Sequence, residues 1–373
     1  MQNLDAYFKD KGFFDPDLGR AILEAHADNH LVRLRMSERF PHLGILHYRD
    51  DVVFGKGAWT EFSKACRGVI VDFQNGKILA KPFRKFFNLG ESHAPSLRDL
   101  EKQGSFSVME KLDGSMIVTP YDEVTNSFFA STKGSIDSEQ GVWATPRIPY
   151  SVRDKSLLQK YTLMWEMISK QYQIVIPYDK KGYEEGLYLI GVRENISEKL
   201  FTPDEVKAFA KEYKLNTFKT YDFPSIQSIV DSSKELPFSE EGYVIRFPEK
   251  ETMVKVKSSE YLRVHRFVSN LSSKNILDIL IAGQEAEIYD NLNMVPEEYR
   301  DDVEKTMKDY QRDALDFRKQ CYKYFAEAPK DDRKTFALHV NSKIPGEYKG
   351  FLFKLFENKD PELPQIYSVF RKR

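Results

Sequence analysis

The run MEKLDGSMIV (109–118) places two β-type segments on either side of Lys111-Leu112-Asp113-Gly114-Ser115. A lysine is therefore expected at the end of one strand, in a tight turn that feeds the next. Four letters of the type K-x-D-G are a weak signal alone, and a solvated lysine beside a turn satisfies them equally well. The surrounding strands add more. YTLMWEMIS (161–169) carries a single acid, Glu166, among apolar neighbours, and EEGYVIRF (240–247) sets Glu241-Gly242 at the mouth of another strand. In TMVKVKS (252–258), Lys255 and Lys257 alternate with Val254 and Val256. Strand period two sends both lysines to one face and both valines to the other. With the valines toward the core, the lysines project together, which costs repulsion unless an anion lies near them. An edge strand wearing lysines against aggregation is the alternative.

Outward from these segments, the chain up to about residue 257 alternates short β-type runs with turns. CRGVIVDF (66–73), Asn75-Gly76 and KILA (77–80) predict a hairpin closed by a two-residue turn. Further strands are expected at 105–110, 115–120, 127–131, 161–168, 172–176, 186–193, 242–247 and 252–257. One clear helix interrupts them, opened by Thr202 as N-cap, Pro203 and the capping-box Glu205, and ending near Lys214. After residue 258 the β signature disappears. Pro296 opens a charged, helix-periodic stretch to about Ala328, and 331–340 and 349–357 read as two more helices. The expected fold class is α+β: an antiparallel-sheet domain over 1–260, then an all-helical C-terminal domain over 261–373, with the boundary at 258–270.

The chain has 373 residues, 56 Lys+Arg against 57 Asp+Glu, and a formal net charge of −1. That length suits two cores, and 41% apolar residues with 27 Phe exclude a disordered chain. No apolar run reaches the roughly 18 residues a membrane span needs, and residues 1–20 lack a secretory h-region. Cys66 and Cys321 form no CxxC pair, so a reducing, cytoplasmic location is expected. The seven histidines make no zinc-type cluster. The charge balance excludes a tight, indiscriminate RNA coat, although net charge says little about one pocket.

Lysines on strands, one lysine in a turn and two carboxylates suit attack on a nucleoside triphosphate. A lysine amine must lose its proton to be a nucleophile, and Arg67, Lys255 and Lys257 nearby are expected to lower its pKa. The same cations would offset charge on the α-phosphate and on departing pyrophosphate. Glu166 and Glu241 supply hard oxygen ligands for magnesium or manganese.

In order and spacing, KLDGS, WEMIS, LYLIGVREN (187–195), EEGYVIRF and VKVKS resemble the motifs of the covalent nucleotidyltransferases, the ATP-dependent polynucleotide ligases and mRNA-capping guanylyltransferases. CRGVIVDF, KFFNLGE (85–91), STKGSIDSEQ (131–140), KSSEYLRVH (257–265) and DDRKTFA (331–337) narrow the resemblance to the phage type 1 RNA ligases, which repair tRNAs cut in the anticodon loop. The match runs from about residue 43; the first 40 residues match poorly.

The resemblance implies a nucleotidyltransferase domain in which Lys111 becomes AMP-linked. It implies ATP contacts from Tyr48, Arg67, Lys85, Phe87, Gly114, Lys133, Glu166, Glu241, Gly242, Lys255 and Lys257, with Phe87 on adenine. It places Tyr261 in the steps after enzyme adenylylation. Metal ligands would be Glu166 and Glu241, with Glu285 and Glu287 standing where the family has an Asp pair. Core packing for Phe86-Phe87, helix packing for Tyr261 and solvated surface acids for Glu285 and Glu287 remain alternatives. The implied cofactors are ATP and Mg2+ or Mn2+. The implied partners are RNA with 5′-phosphate and 3′-hydroxyl ends, above all broken tRNA, and an end-healing kinase-phosphatase, with no membrane. A GTP-dependent capping guanylyltransferase and a non-catalytic RNA-binding protein are the rival readings.

Overall fold

The computed structural model describes residues 31–49, 59–270, 273–286, 288 and 297–371. The chain divides into two compact units, Met1–Leu262 and Arg263–Arg373.

Among the described residues, the first unit is built on three main sheets. Val32–Met36, Leu43–Tyr48, Arg67–Asp72 and Lys77–Ala80 pair in that order. A second sheet runs Ser131–Thr132, Ser115–Thr119, Tyr161–Ile168, Gly186–Glu194. The third runs Thr220–Tyr221, Ser107–Glu110, Gly242–Phe247, Thr252–Lys257, Phe87–Asn88. All of these pairings are antiparallel except the last, which is parallel. The Lys111 turn thus leaves the third sheet and enters the second.

Strand alternation behaves as the pattern predicts. Val254 and Val256 are buried with Ile245, Tyr243 and Val108 in one core cluster, and Lys255 and Lys257 face away from it, half-buried. The helix Pro203–Glu212 carries the Thr202–Glu205 capping box.

Several expectations need correction. The Arg67–Asp72/Lys77–Ala80 connection spans 73–76 and is not a two-residue turn. Asp72, almost fully buried, accepts bonds from the Gln74 and Asn75 backbone amides and so fixes a longer turn. Residues 172–176 form no strand. The amides of Val175 and Ile176 donate to Asp113 Oδ2 instead of to a neighbouring strand. The expected 127–131 strand is split between Ser127–Phe128 and Ser131–Thr132. Further helices, among them Glu139–Ala144, Lys155–Lys160 and Ile226–Glu235, start at Ser138, Asp154 and Ser225.

The second unit is helical: Ser273–Ile281, Glu297–Glu327, Arg333–Lys343, Gly346–Phe356 and Leu363–Phe370, with Ser259–Asn270 spanning the division. Leu363–Phe370 was not expected from the sequence; Pro364 in its first turn is compatible with a helix start. Phe336, Val340, Leu352, Met307 and Ile366 are among the buried residues of its core.

Candidate active site

Two glycines allow the strands to converge around Lys111. A Cβ on Gly114 would lie 2.3 Å from the Met167 carbonyl oxygen, so only glycine lets the KLDG turn pass beside the Glu166 strand. Gly242 has φ +133°, and a Cβ there would meet the Val256 carbonyl oxygen at 2.1 Å. The Lys111 amide donates to the Gly242 carbonyl at 2.9 Å, which ties the turn to that strand end.

Between these elements lies a cleft of about 440 Å³. Arg67, Lys111, Gly114, Lys133, Glu166 and Lys255 line it, together with the apolar side chains of Phe83, Phe86, Met116, Ile190, Phe218 and Met253. Its charges are not equivalent. Glu241, 3% exposed, bridges two lysines: Oε2 to Lys111 Nζ at 2.7 Å and Oε1 to Lys257 Nζ at 2.9 Å. Of the strand pair Lys255 and Lys257, only Lys257 gains this anion. Lys111 and Lys257 hold the Glu241 carboxyl below its usual range against the upward push of burial.

Lys111 departs from expectation. Burial acts to lower its pKa, but Glu241, Glu166 and Asp113 outweigh it and hold the ammonium above its ordinary value. The lysine that falls is Lys255. Burial, then the charges of Lys111, Arg67, Lys85 and Lys257, push it down to about 6. It has no carboxylate ion pair among the described residues, and its Nζ lies 4.7 Å from the centre of the Phe86 ring. Glu166 moves the other way. Burial, only partly offset by Lys111, raises it to about 7.

Asp113 is a hub. Its Oδ2 accepts from the Val175 and Ile176 amides, and its Oδ1 accepts from the Tyr261 hydroxyl at 2.8 Å. The Tyr178 hydroxyl accepts from the Asp113 amide. Tyr261, 1% exposed, is therefore fastened to the Lys111 turn.

Tyr48, Lys85 and Phe87 form a neighbouring cluster and do not line the cleft wall. Lys85 Nζ sits 5.7, 5.5 and 5.1 Å from the ring centres of Tyr48, Trp59 and Phe87. Lys133 joins the two groups, its Nζ 3.5 Å from the Tyr48 hydroxyl. Burial works to raise the Tyr48 phenol, but Lys133, Arg67 and Lys85 bring it below its ordinary value. Phe86 lines the cleft and Phe87 does not. Register pairs Phe87 with Val254, so Phe86 falls on the Lys255 side and lines the cleft. Phe87 packs between Trp59 and His93. Alternation from Val254 could have distinguished the two rings, had the parallel register been known. Gln140, whose amide donates to Ser115 Oγ at 3.0 Å on the cleft lip, has no sequence signal that marks it.

For a divalent cation, Glu166 fits: it is a half-buried carboxylate in the cleft with no hydrogen-bond or ion-pair partner among the described residues. Glu241 fits less well, since lysines occupy both its oxygens. Glu285 accepts a bond from Gln311 and belongs to the second unit. Glu287 lies outside the described residues. Among those residues, no group of three or more His, Cys, Asp or Glu is arranged to hold a metal.

Residues 65–261 match the family model described as RNA ligase. Over 309 residues the chain is 26% identical to a putative RNA ligase of Thermovibrio ammonificans, covering 80% of this chain and 79% of that one. Over 364 residues it is 24% identical to an RNA ligase of Rhodothermus phage RM378, covering 79% of each. A mutant of the Naegleria gruberi RNA ligase, solved with ATP and Mn, aligns at 16% identity over 46% of this chain, with a TM-score of 0.37; the chain spans about half, 54%, of its length. The matched segment takes in the Lys111 turn, both glutamates and the lysine strand, and the chain belongs to the phage-type RNA ligase family.

Proposed function

We propose that the protein is an ATP-dependent RNA ligase that works through a lysyl-AMP intermediate. The observation that carries this reading is a lysine amine, Lys111, at a cleft lined by further cations and an apolar wall. Lys111 Nζ attacks the α-phosphorus of ATP. The ammonium first gives one proton to water; the neutral amine then forms the nitrogen–phosphorus bond as the bond to the bridging oxygen of pyrophosphate breaks, and a second proton leaves the new N–P nitrogen to water or to the departing pyrophosphate. The AMP then passes to the 5′-phosphate of an RNA end. A 3′-hydroxyl attacks that activated phosphate and releases AMP.

Each step is a displacement at phosphorus, so positioning and charge supply most of the catalysis. In this reading Glu241 holds Lys111 and Lys257 in place, and Arg67, Lys133 and Lys255 meet the phosphates. Tyr48 and Lys85 act beside them through Lys133. Phe83, Phe86 and Met116 suit an adenine face. Glu166 would hold Mg2+ or Mn2+, which would offset phosphate charge. Tyr261 steadies the turn through Asp113 during RNA transfer and sealing. The division proposed is a nucleotidyltransferase domain over 1–260 and a helical domain over 261–373 that selects RNA. Broken tRNA anticodon loops are the favoured substrate, in a cytoplasmic setting. Capping enzymes and DNA ligases carry a β-rich domain after the last lysine motif, whereas Arg263–Arg373 is helical here.

The test is incubation with magnesium and α-labelled ATP or GTP. Label from ATP on the wild type, and none on Lys111→Ala, is expected. Label from GTP alone would indicate a capping enzyme, and no label from either would indicate a non-catalytic RNA binder.

A further inference from the structure

Of the segment 139–153 only Gln140 lines the cleft, and the surface beyond it has no role in the chemistry above. Its first helix, Glu139–Ala144, is held tightly. A Cβ on Gly141 would meet the Ala130 carbonyl oxygen at 2.6 Å, and the Ala130 amide donates to Thr145 Oγ1. Residues 131–134 follow directly and bring Lys133 to the cleft. Gln140 lines the cleft lip, and Trp143 is three residues on, along the same side of the helix.

Beyond Trp143 the surface is aromatic and arginine-rich. The Arg147 guanidinium lies 3.8 Å from the centre of the Trp143 ring, and Tyr172 meets that ring edge-on. Arg153 lies 5.0 Å from the Tyr150 ring and 5.4 Å from that of Phe128, and donates to the carbonyls of Pro146 and Ile148. Tyr150 is 86% exposed and Val142 53%, so neither contributes a buried side chain to the core.

Lys77, Arg84 and Lys199 each contact a carboxylate, whereas Arg147 and Arg153 have no ion pair among the described residues. The acid beside them, Asp154, is engaged as an N-cap, accepting from the Leu157 amide and the Ser156 hydroxyl. Guanidinium groups that bond backbone carbonyls but no carboxylate, lying on half-buried Trp143 and Phe128 and on exposed Tyr150, complement a chain of phosphates and unstacked bases.

We propose that Trp143, Arg147, Tyr150 and Arg153 form a platform for the single-stranded nucleotides next to the RNA end being sealed. Bases stack on Tyr150 and on the Trp143–Arg147 pair, while the arginines contact phosphates. The platform leads the strand across Gln140 into the cleft. This deepens the ligase reading and rests on it for the identity of the strand.

The experiment follows binding of a short, 5′-phosphorylated, single-stranded oligoribonucleotide with a 3′-fluorophore, by anisotropy at several salt concentrations without ATP. Trp143→Ala and Tyr150→Ala are each expected to weaken binding about tenfold. Arg147→Ala should weaken it and lower the slope of log affinity against log salt by about one. Arg147→Lys should keep the slope and lose affinity. All four variants should take label from ATP as the wild type does, which also shows that they fold; Tyr150 and Arg147 are exposed enough for their replacement to leave packing intact. Wild-type affinity and salt slope in Tyr150→Ala and Arg147→Ala would overturn the proposal. So would a self-association of the protein that Tyr150→Ala abolishes while RNA affinity stays the same. A wild type that takes no label from ATP would instead refute the ligase reading, and the titration would still decide the platform.

Discussion

In Arg263–Arg373, 20 Lys+Arg and 19 Asp+Glu surround a core of Phe, Leu, Val, Ile and Tyr, and no charged side chain is buried there among the described residues. In the unit ending at Leu262, Lys81, Asp113, Arg193, Glu241 and Arg246 are all less than a tenth exposed. The helical unit follows the ordinary economy of globular proteins, with apolar groups inside and ion pairs such as Lys308–Glu304 in solvent. The sheet unit takes charges out of water, which costs several kcal/mol per ion unless each finds partners. Lys81, for instance, donates to the Asn195 carbonyl and to Glu198. Glu241 meets that requirement with Lys111 and Lys257, whereas Lys255 and Glu166 are left with shifted pKa values and no partner of their own. Such frustration collected at one cleft marks a place prepared for a ligand.

The comparison is broken most severely by removing its central members. Glu241→Ala should cost about 3–5 kcal/mol in denaturant unfolding, because Lys111 and Lys257 lose their shared anion. In the helical unit Phe336→Ala should cost a similar amount, about 3–5 kcal/mol, through a cavity beside Phe325, Phe353 and Phe356. The two should differ in rescue. Phe336→Leu should recover much of the loss, since only volume is needed. Glu241→Gln should recover little, since charge is needed. Equal rescue at both sites would erase the distinction.

A smaller effect comes from Glu166. Its native carboxyl titrates at about 7 against an unperturbed 4.5. Between those values the native state binds more protons than the unfolded state, so stability falls as pH rises, and the whole penalty is present above pH 7. Glu166→Gln should therefore exceed the wild type in stability at pH 8, by at most about 3 kcal/mol, and lose most of that advantage at pH 5. A pH-independent difference in melting temperature would contradict the assignment. The smallest effect belongs to the helical surface: Lys308→Ala should change stability by no more than about 0.5 kcal/mol.

Much of this contrast was legible in the chain. Alternation in TMVKVKS placed two lysines on one face and two valines in the core, and of the two lysines Lys257 finds an anion in Glu241 while Lys255 does not. The helix Glu297–Glu327 followed from its period. What could not be read depended on distances between remote segments. The carboxylates around Lys111 outweigh its burial, so its pKa moves opposite to the expectation. Val175 and Ile176 look like a strand, yet their amides serve Asp113, about sixty residues earlier in the chain. The choice between Phe86 and Phe87 turned on a parallel register that no local pattern encodes.

Lys111 is the proposed nucleophile, and locating the adduct tests that most directly. After incubation with ATP and magnesium, the protein is digested under conditions that preserve phosphoramidates, and its peptides are analysed by mass spectrometry. One adenylyl group on Lys111 is predicted. An adenylyl group on another residue, or none on any peptide of a folded protein, would contradict it.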